Sequence, residues 1–137
     1  MRLLFVVLVL SSGVSSFLQQ SVAIKGQLIC GRTPLSGAKV KLWDKNTIGK
    51  DVLLAEGETD PLGQFQLQGG TGSLLKMNAN FKVYHDCRDG IKPCQRKVTL
   101  KVPDDYVTRT ATSEKVFDAG ILNMEFRYPD EERSCIN

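Results

Sequence analysis

Covalent chemistry in this sequence is concentrated in its four cysteines, Cys30, Cys87, Cys94 and Cys135. An even number of cysteines is typical of a chain that folds in an oxidising compartment, where thiols pair as disulfides rather than remain free and buried. Cys87 and Cys94 enclose a short segment of turn-forming residues, so we predict that they pair with each other. Cys30, at the end of the first predicted strand, is then left to pair with Cys135 on the C-terminal tail.

The chain has one histidine, His85. It stands beside Asp86 on a predicted strand, where neighbouring side chains point to opposite faces, so the two do not form part of a Ser-His-Asp site. A zinc site needs three or four ligands, and with the cysteines oxidised only carboxylates remain. We therefore predict no catalytic residue, no metal and no cofactor. We expect His85 to be structural and to face the core together with Phe81 and Val83.

Strands must position these residues, because apolar and polar side chains alternate along the chain without sustained helical periodicity. The alternating segments are 22–28, 40–42, 53–59, 64–68, 81–83 and 98–102, followed by a last strand from Val116. Asp60-Pro61-Leu62-Gly63 matches a type I turn, a change of apolar parity predicts a bulge near Gly120, and 69–73 is predicted to be a flexible connection. This pattern predicts an all-β fold, an antiparallel β-sandwich of seven to eight strands.

The first residues have the pattern of a secretory signal peptide. Arg2 precedes an apolar run, and small residues follow up to Ser16. The run is about half of the roughly 20 residues that a membrane span needs, so we do not expect a membrane-spanning chain. We predict cleavage after Ser16, with Ala23 as the alternative, and a single soluble domain over residues 17–137 that acts outside the cell. Residues 1–16 would then be the signal peptide.

Charge is distributed unevenly along the chain, whose formal net charge is +3. Cations are concentrated in residues 76–101, and carboxylates are concentrated in the last third. A balance this small does not call for nucleic acid as a partner, and secretion argues against it.

Two segments around the central cysteines match a known family most specifically, Lys82-Val83-Tyr84-His85-Asp86-Cys87 and Gly90-Ile91-Lys92-Pro93-Cys94-Gln95-Arg96-Lys97. Segments 24–31, 40–44, 59–60, 63–65 and 117–123 match as well. Through them the chain resembles the nematode transthyretin-like proteins. The resemblance implies a disulfide-stapled transthyretin-like β-sandwich and secretion. The best-understood kind in that family is an extracellular bridging protein that recognises exposed phosphatidylserine on dying cells.

The transthyretin fold also hosts 5-hydroxyisourate hydrolase, which relies on several histidines, an arginine and a C-terminal Tyr-Arg-Gly-Ser. This chain has one histidine and ends in Arg133-Ser134-Cys135-Ile136-Asn137, so we do not expect that activity. An alternative function is carriage of a small hydrophobic ligand, which needs a cavity or a channel between subunits. A shared fold does not transfer a function by itself.

The resemblance also implies that the strands of Val40, Phe81 and Val98 lie side by side in one sheet. One outward face would then gather Lys39, Lys41, Trp43, Lys82, Tyr84, Lys97 and Lys101. Cations around exposed aromatic rings suit an anionic surface, such as phospholipid headgroups or sulfated glycan. Arg88 and Lys92, between the two central cysteines, form a competing site. We predict a secreted, non-enzymatic binding protein whose partner is anionic lipid, glycan or a cell-surface receptor protein.

Overall fold

The computed structural model describes residues 18–46 and 49–137, and the predicted signal peptide lies outside these ranges. The described residues form nine strands and one short 3-10 turn, Asp104–Tyr106. The strands are β1 (Gln19–Cys30), β2 (Thr33–Pro34), β3 (Lys39–Asp44), β4 (Val52–Glu58), β5 (Gln64–Gly72), β6 (Ala79–His85), β7 (Gln95–Lys101), β8 (Phe117–Asn123) and β9 (Glu132–Ser134). Within the described ranges, no helix has the length and apolar character needed to cross a membrane.

Two sheets form a sandwich, which confirms the predicted fold class. In the first sheet β1 lies between β5 and β8, and the short β2 pairs with the end of β1. The second sheet has the order β4-β3-β6-β7-β9. All neighbouring strands are antiparallel except β1 and β8, which run parallel. The two shortest strands, β2 and β9, bring the number above the predicted seven or eight.

The core lies between the inner faces of the two sheets, because apolar side chains alternate inward on both. In the second sheet Val40 and Leu42 of β3 and Val83 of β6 are completely buried. The rings of Phe65 on β5 and Phe81 on β6 stack across the sandwich, with their centroids 4.7 Å apart. Stacked aromatic pairs of this kind contribute about 0.5–1.5 kcal/mol beyond the area that they bury.

Two of the local predictions are confirmed. The backbone N–H of Gly63 donates to the carbonyl of Asp60 at 2.8 Å, as a type I turn requires, and Gly63 has a φ of 77°. The bulge lies in β8, where the step from Lys25 to Gln27 on β1 faces the longer step from Asp118 to Ile121.

The prediction of a flexible connection over residues 69–73 is wrong. β5 continues to Gly72, because the backbone of this glycine-rich stretch pairs with β1 from Val22 back to Gln19. Glycine is required here for close packing rather than for flexibility. A Cβ added to Gly69 would lie 2.3 Å from the carbonyl oxygen of Leu54 on the facing strand β4.

The predicted disulfide pairing is also wrong. Cys30 pairs with Cys87, and Cys94 pairs with Cys135, with Cα–Cα distances of 5.7 and 4.3 Å. The C-terminal tail returns to the sheet as β9 and pairs with β7, where Gln95 faces Ser134. This register puts Cys135 directly beside Cys94. Cys87 is then left to bridge the end of β6 to the end of β1 in the other sheet.

Arg96 connects the parts of the molecule that surround these disulfides. Its side chain is 1 % exposed, and all five guanidinium hydrogens have acceptors. Nη1 donates to the carbonyls of Cys87 and Met124 at 2.8 and 2.7 Å, and Nη2 donates to the carbonyl of Phe126 at 2.7 Å. Nε and Nη2 donate to the two carboxylate oxygens of Glu131 at 3.1 and 2.7 Å. The bidentate geometry uses the planar fork of arginine, which lysine lacks.

Replacing Arg96 with methionine should lower the free energy of unfolding by about 3–5 kcal/mol, because Glu131 would stay buried without its main cation. Urea denaturation measures this loss. Arg127→Met is the matched control, since Arg127 bonds the same carboxylate at 3.2 Å but is exposed. It should cost no more than about 1 kcal/mol. Equal losses in the two variants would show that burial of the Arg96–Glu131 pair is not what stabilises this region.

Peptide mapping without reduction should recover Cys30 linked to Cys87, and Cys94 linked to Cys135. Trypsin cleavage after Arg88 separates Cys87 from Cys94, so the two candidate pairings give different linked peptides. Each bridge closes a loop, of 57 and 41 residues in sequence separation, and the loop-entropy relation gives a stabilisation of up to about 4 kcal/mol for each. A linked Cys87–Cys94 peptide would contradict the observed pairing.

Candidate functional site

The second sheet gathers the seven residues that we define as the basic aromatic face: Lys39, Lys41, Trp43, Lys82, Tyr84, Lys97 and Lys101. They lie on the adjacent strands β3, β6 and β7. In the strand register Lys41 faces Lys82, and Tyr84 lies between Lys39 and Lys97. The core side chains of the same strands alternate with them on the inner side. The expected juxtaposition is therefore present, and its role in binding stays a prediction.

The aromatic rings of this face are less exposed than expected. Tyr84 is 4 % exposed, although its Cβ points outward, and Trp43 is half-buried. Lysine side chains cover them. The Lys41 ammonium lies 5.3 Å from the centroid of the Tyr84 ring and 6.0 Å from that of Trp43, and Lys82 lies 5.5 Å from Trp43. Long lysine stems pack on apolar rings while their charged ends stay near water, and cation–π attraction favours these positions.

Carboxylates neutralise part of the face. Lys41 lies 4.0 Å from Glu56 of the neighbouring β4, Lys97 lies 3.7 Å from Glu132 of β9, and Lys101 lies 2.9 Å from Asp104. These three pairs occupy the edges of the face. Each has at least one partner open to solvent, and ion pairs of that kind contribute about 0–1 kcal/mol.

Lys82 occupies the middle of the basic aromatic face. Within the described ranges no carboxylate oxygen lies within 4.0 Å of its ammonium group. Burial lowers the pKa of Lys82, the nearby positive charges of Lys97 and Lys45 lower that pKa further, and the negative charge of Asp51 offsets only part of the shift. The positive charge at the centre of the face is therefore only partly compensated.

The competing site, Arg88 and Lys92, is separate from this face. Both residues lie beyond the end of β6, in the segment between Cys87 and Cys94. Arg88 is paired with Glu125 at 3.2 Å, and Lys92 is exposed. An ion pair between Asp89 and Arg133 anchors the segment, and the hydrogen bond from Arg133 lowers the pKa of Asp89. The segment is anchored to β9 and to β1 rather than closed on itself.

His85 faces the core, as predicted, and is 2 % exposed. The backbone N–H of Cys87 donates to its Nδ1 at 3.0 Å, so the proton of the neutral ring lies on Nε2. Nε2 is buried and has no hydrogen-bond partner among the described residues. Burial, and then the positive charge of Arg96, lower the pKa of His85 to about 4. The ring is a buried, uncharged acceptor at neutral pH.

Arg96 is the important residue that sequence reasoning missed, since it was counted as one cation among many in residues 76–101. The sequence nevertheless contained a signal that Arg96 is buried. Arg96 shares its alternation with Val98 and Leu100, which point inward, and not with Lys97 and Lys101. A cation at an inward position of a strand requires buried partners, and these come from segments far away in the sequence.

Comparison with known proteins identifies similar chains. The family model described as "Transthyretin-like family" matches residues 25–103. The Caenorhabditis elegans protein "Transthyretin-like protein 33" is 42 % identical over 91 % of this chain and 88 % of its own length. "Transthyretin-like protein 46" from the same organism is 43 % identical over 99 % of this chain and 78 % of its own length. A 9R-lipoxygenase structure from Cyanothece PCC8801 aligns with a TM-score of 0.48 at 18 % identity, over 80 % of this chain and 18 % of that chain. A likeness that weak has no bearing on activity.

Stability should depend on pH through His85. The ring stays neutral in the folded state down to about pH 4, whereas in the unfolded chain it takes up a proton near pH 6.5. The free energy of unfolding should therefore fall as pH is lowered from about 6.5 to about 4, by up to about 3 kcal/mol from this group. His85→Gln should cost about 1–3 kcal/mol at neutral pH and should flatten the pH dependence in that window. Parallel pH profiles for parent and variant would contradict this account of His85.

Proposed function

This chain belongs to the transthyretin-like family, and we propose that it is a secreted, non-enzymatic binding protein that recognises anionic surfaces through the basic aromatic face. Phosphatidylserine headgroups are the proposed ligand, and sulfated glycan is the other candidate for the same positive charges. The observation on which the proposal rests is the position of Lys82. It is a partly buried ammonium group beside other cations, at the centre of a face flanked by aromatic rings.

An anion at this position would relieve an unfavourable arrangement. The lowered pKa of Lys82 means that its charged form is less stable than it would be in free solution. A phosphate or carboxylate group from a headgroup, lying between Lys82 and Lys41, would stabilise both ammonium groups. The two residues face each other across β3 and β6, so a single anionic group could contact both.

The carboxylates already present do not prevent such binding. Glu56 and Glu132 pair with Lys41 and Lys97 at 4.0 and 3.7 Å, and both carboxylates are largely exposed. Pairs that are open to solvent are weak, so an incoming phosphate or sulfate can displace them. Near an anionic membrane each lysine contributes about 1 kcal/mol, and the contribution falls with added salt.

Three observations support binding outside the cell rather than catalysis. The only histidine in the sequence is buried, and its Nδ1 accepts a backbone hydrogen bond. All four cysteines are in disulfides, which persist in oxidising compartments. The first sixteen residues of the sequence have the pattern of a signal peptide. A bridging role would leave another surface of the domain for a cell-surface receptor protein.

Replacing Lys41 and Lys82 with glutamine should weaken binding to phosphatidylserine vesicles by about 2 kcal/mol at low ionic strength, or roughly 30-fold. The protein is residues 17–137 with its disulfides formed, and co-sedimentation with vesicles measures the affinity. The matched control is Lys25→Gln with Lys115→Gln, which removes the same charge away from the face. It should bind within about two-fold of the parent, because charges away from the face change only the general electrostatic attraction.

Two further variants separate the face from its competitor. Trp43→Ala should weaken binding, because Lys41 and Lys82 would lose the ring on which their ammonium groups lie. The dependence on salt should stay the same, because the number of lysines is unchanged. Arg88→Gln with Lys92→Gln should leave binding nearly unchanged. If that variant abolishes binding while the Lys41 and Lys82 variant binds like the parent, the site is the segment between the central cysteines. Binding to heparin but not to phosphatidylserine vesicles would assign the face to sulfated glycan.

A further inference from the structure

A groove of about 560 Å³ lies on the outer side of the first sheet, the sheet that does not carry the basic aromatic face. Strands β1, β5 and β8 all contribute to it. The groove is open to solvent along its outer side, so a ligand bound there would stay partly hydrated. We propose that this groove binds a neutral carbohydrate. The proposal is independent of the function proposed for the opposite sheet.

Two glycines from neighbouring strands, Gly26 on β1 and Gly120 on β8, lie at the floor of the groove. A Cβ on Gly26 would lie 3.0 Å from the carbonyl oxygen of Gly120 and 2.9 Å from the ring of Phe65. Gly120 has a φ of 72° in the bulge of β8, and open space surrounds the position where its Cβ would be. The floor is therefore backbone with a ring beneath it, and the longer side chains of the three strands stand around it.

Hydrogen bonds hold the polar groups of the rim in place. One carboxylate oxygen of Asp60 accepts from the backbone N–H of Leu62 and of Gln64, at 3.0 and 2.8 Å. The Gln27 amide donates to the carbonyl of Leu62 at 2.7 Å, which leaves its own oxygen directed away as an acceptor. On the other side of the groove, one oxygen of Asp118 accepts from the N–H of Gly120 at 2.9 Å.

Two more glutamines, Gln64 and Gln66, line the groove from β5. Their side chains are exposed, and neither side-chain amide has a hydrogen-bond partner among the described residues. Each primary amide offers two donors and an acceptor, and each carboxylate offers acceptors only. Together they match a ligand that presents several hydroxyl groups, since a hydroxyl both donates and accepts.

The remaining lining residues narrow the ligand class. Lys25 carries one positive charge against the two negative charges of Asp60 and Asp118, so the groove does not favour an anion. Ile121 is 66 % exposed at the rim and offers an apolar contact for the C–H face of a sugar ring. A neutral saccharide combines hydroxyls with such a face, whereas a lipid chain has no groups that could pair with the glutamine amides.

The test uses residues 17–137 with the disulfides formed and four neutral disaccharides: maltose, cellobiose, lactose and N,N′-diacetylchitobiose. Heteronuclear NMR titration follows the side-chain amides of the glutamines directly, together with the backbone amide of Gly120. Each sugar is added to about 10 mM, enough to occupy a site with a dissociation constant of about 1 mM. At least one of them should shift the signals of Gln64, Gln66 and Gly120 in a saturable way.

Gln64→Ala with Gln66→Ala should weaken that binding at least tenfold, without changing the thermal unfolding midpoint by more than a few degrees. Gln68→Ala is the matched control, because Gln68 lies on the same strand and face but outside the groove. It should bind like the parent. The Lys41 and Lys82 variant should also retain sugar binding, which separates this proposal from the function proposed above.

Two results would overturn the proposal. One is that none of the four sugars shifts the groove signals at about 10 mM. The other is that the double glutamine variant binds a sugar as tightly as the parent, which would place binding elsewhere. If the parent protein binds a sugar but not phosphatidylserine vesicles, only the function proposed for the basic aromatic face is wrong. If it binds the vesicles but none of the sugars, only the carbohydrate proposal is wrong.

Discussion

The end of the sandwich that carries the two disulfides depends on one buried interaction, the bidentate pair between Arg96 and Glu131. A guanidinium group without partners could not lie in this interior, because an unpaired buried charge costs several kcal/mol. Here every hydrogen of the group has an acceptor, and those acceptors belong to three separate segments. Burial would raise the pKa of Glu131, yet hydrogen bonds from Arg96 and Arg127 hold that pKa below its usual value. The pair therefore remains ionised and fixes the positions of the chain around it.

The two disulfides act on the same region. Cys30–Cys87 joins the sheets at the end where β6 stops, and Cys94–Cys135 holds β9 against β7. Between them, Arg96 donates to the carbonyl of Cys87, and Arg133 binds the segment that follows Cys87 through Asp89. His85 lies directly beneath this segment and accepts a hydrogen bond from it. Covalent, ionic and hydrogen bonds thus converge on one end of the molecule.

Alternation on β7 links this end to the candidate binding surface. Arg96 points inward and is fully paired, while Lys97 and Lys101 point outward on the same strand. Arginine is the residue at the inward position and lysine the residue at the outward positions because their charged groups differ. Arginine satisfies several acceptors at once in a rigid plane, whereas lysine is a flexible point charge that stays hydrated at its tip. A sheet built in this way has one rigid inner face and one adaptable outer face of lysines over aromatic rings.

Much of the fold and of the basic aromatic face could be predicted from the sequence, because both depend on local alternation. Which side of a strand carries Lys41, Trp43 or Lys82 follows from period two, and the turn at Asp60 and the bulge at Gly120 follow from the residues in them. The disulfide pairing, the burial of Arg96, the parallel course of β8 and the groove above Gly26 and Gly120 were decided only by the tertiary structure. Each of these depends on which distant segments become neighbours and in which register. Alternation specifies the face on which a side chain lies, but it carries no information about the residue that will lie opposite.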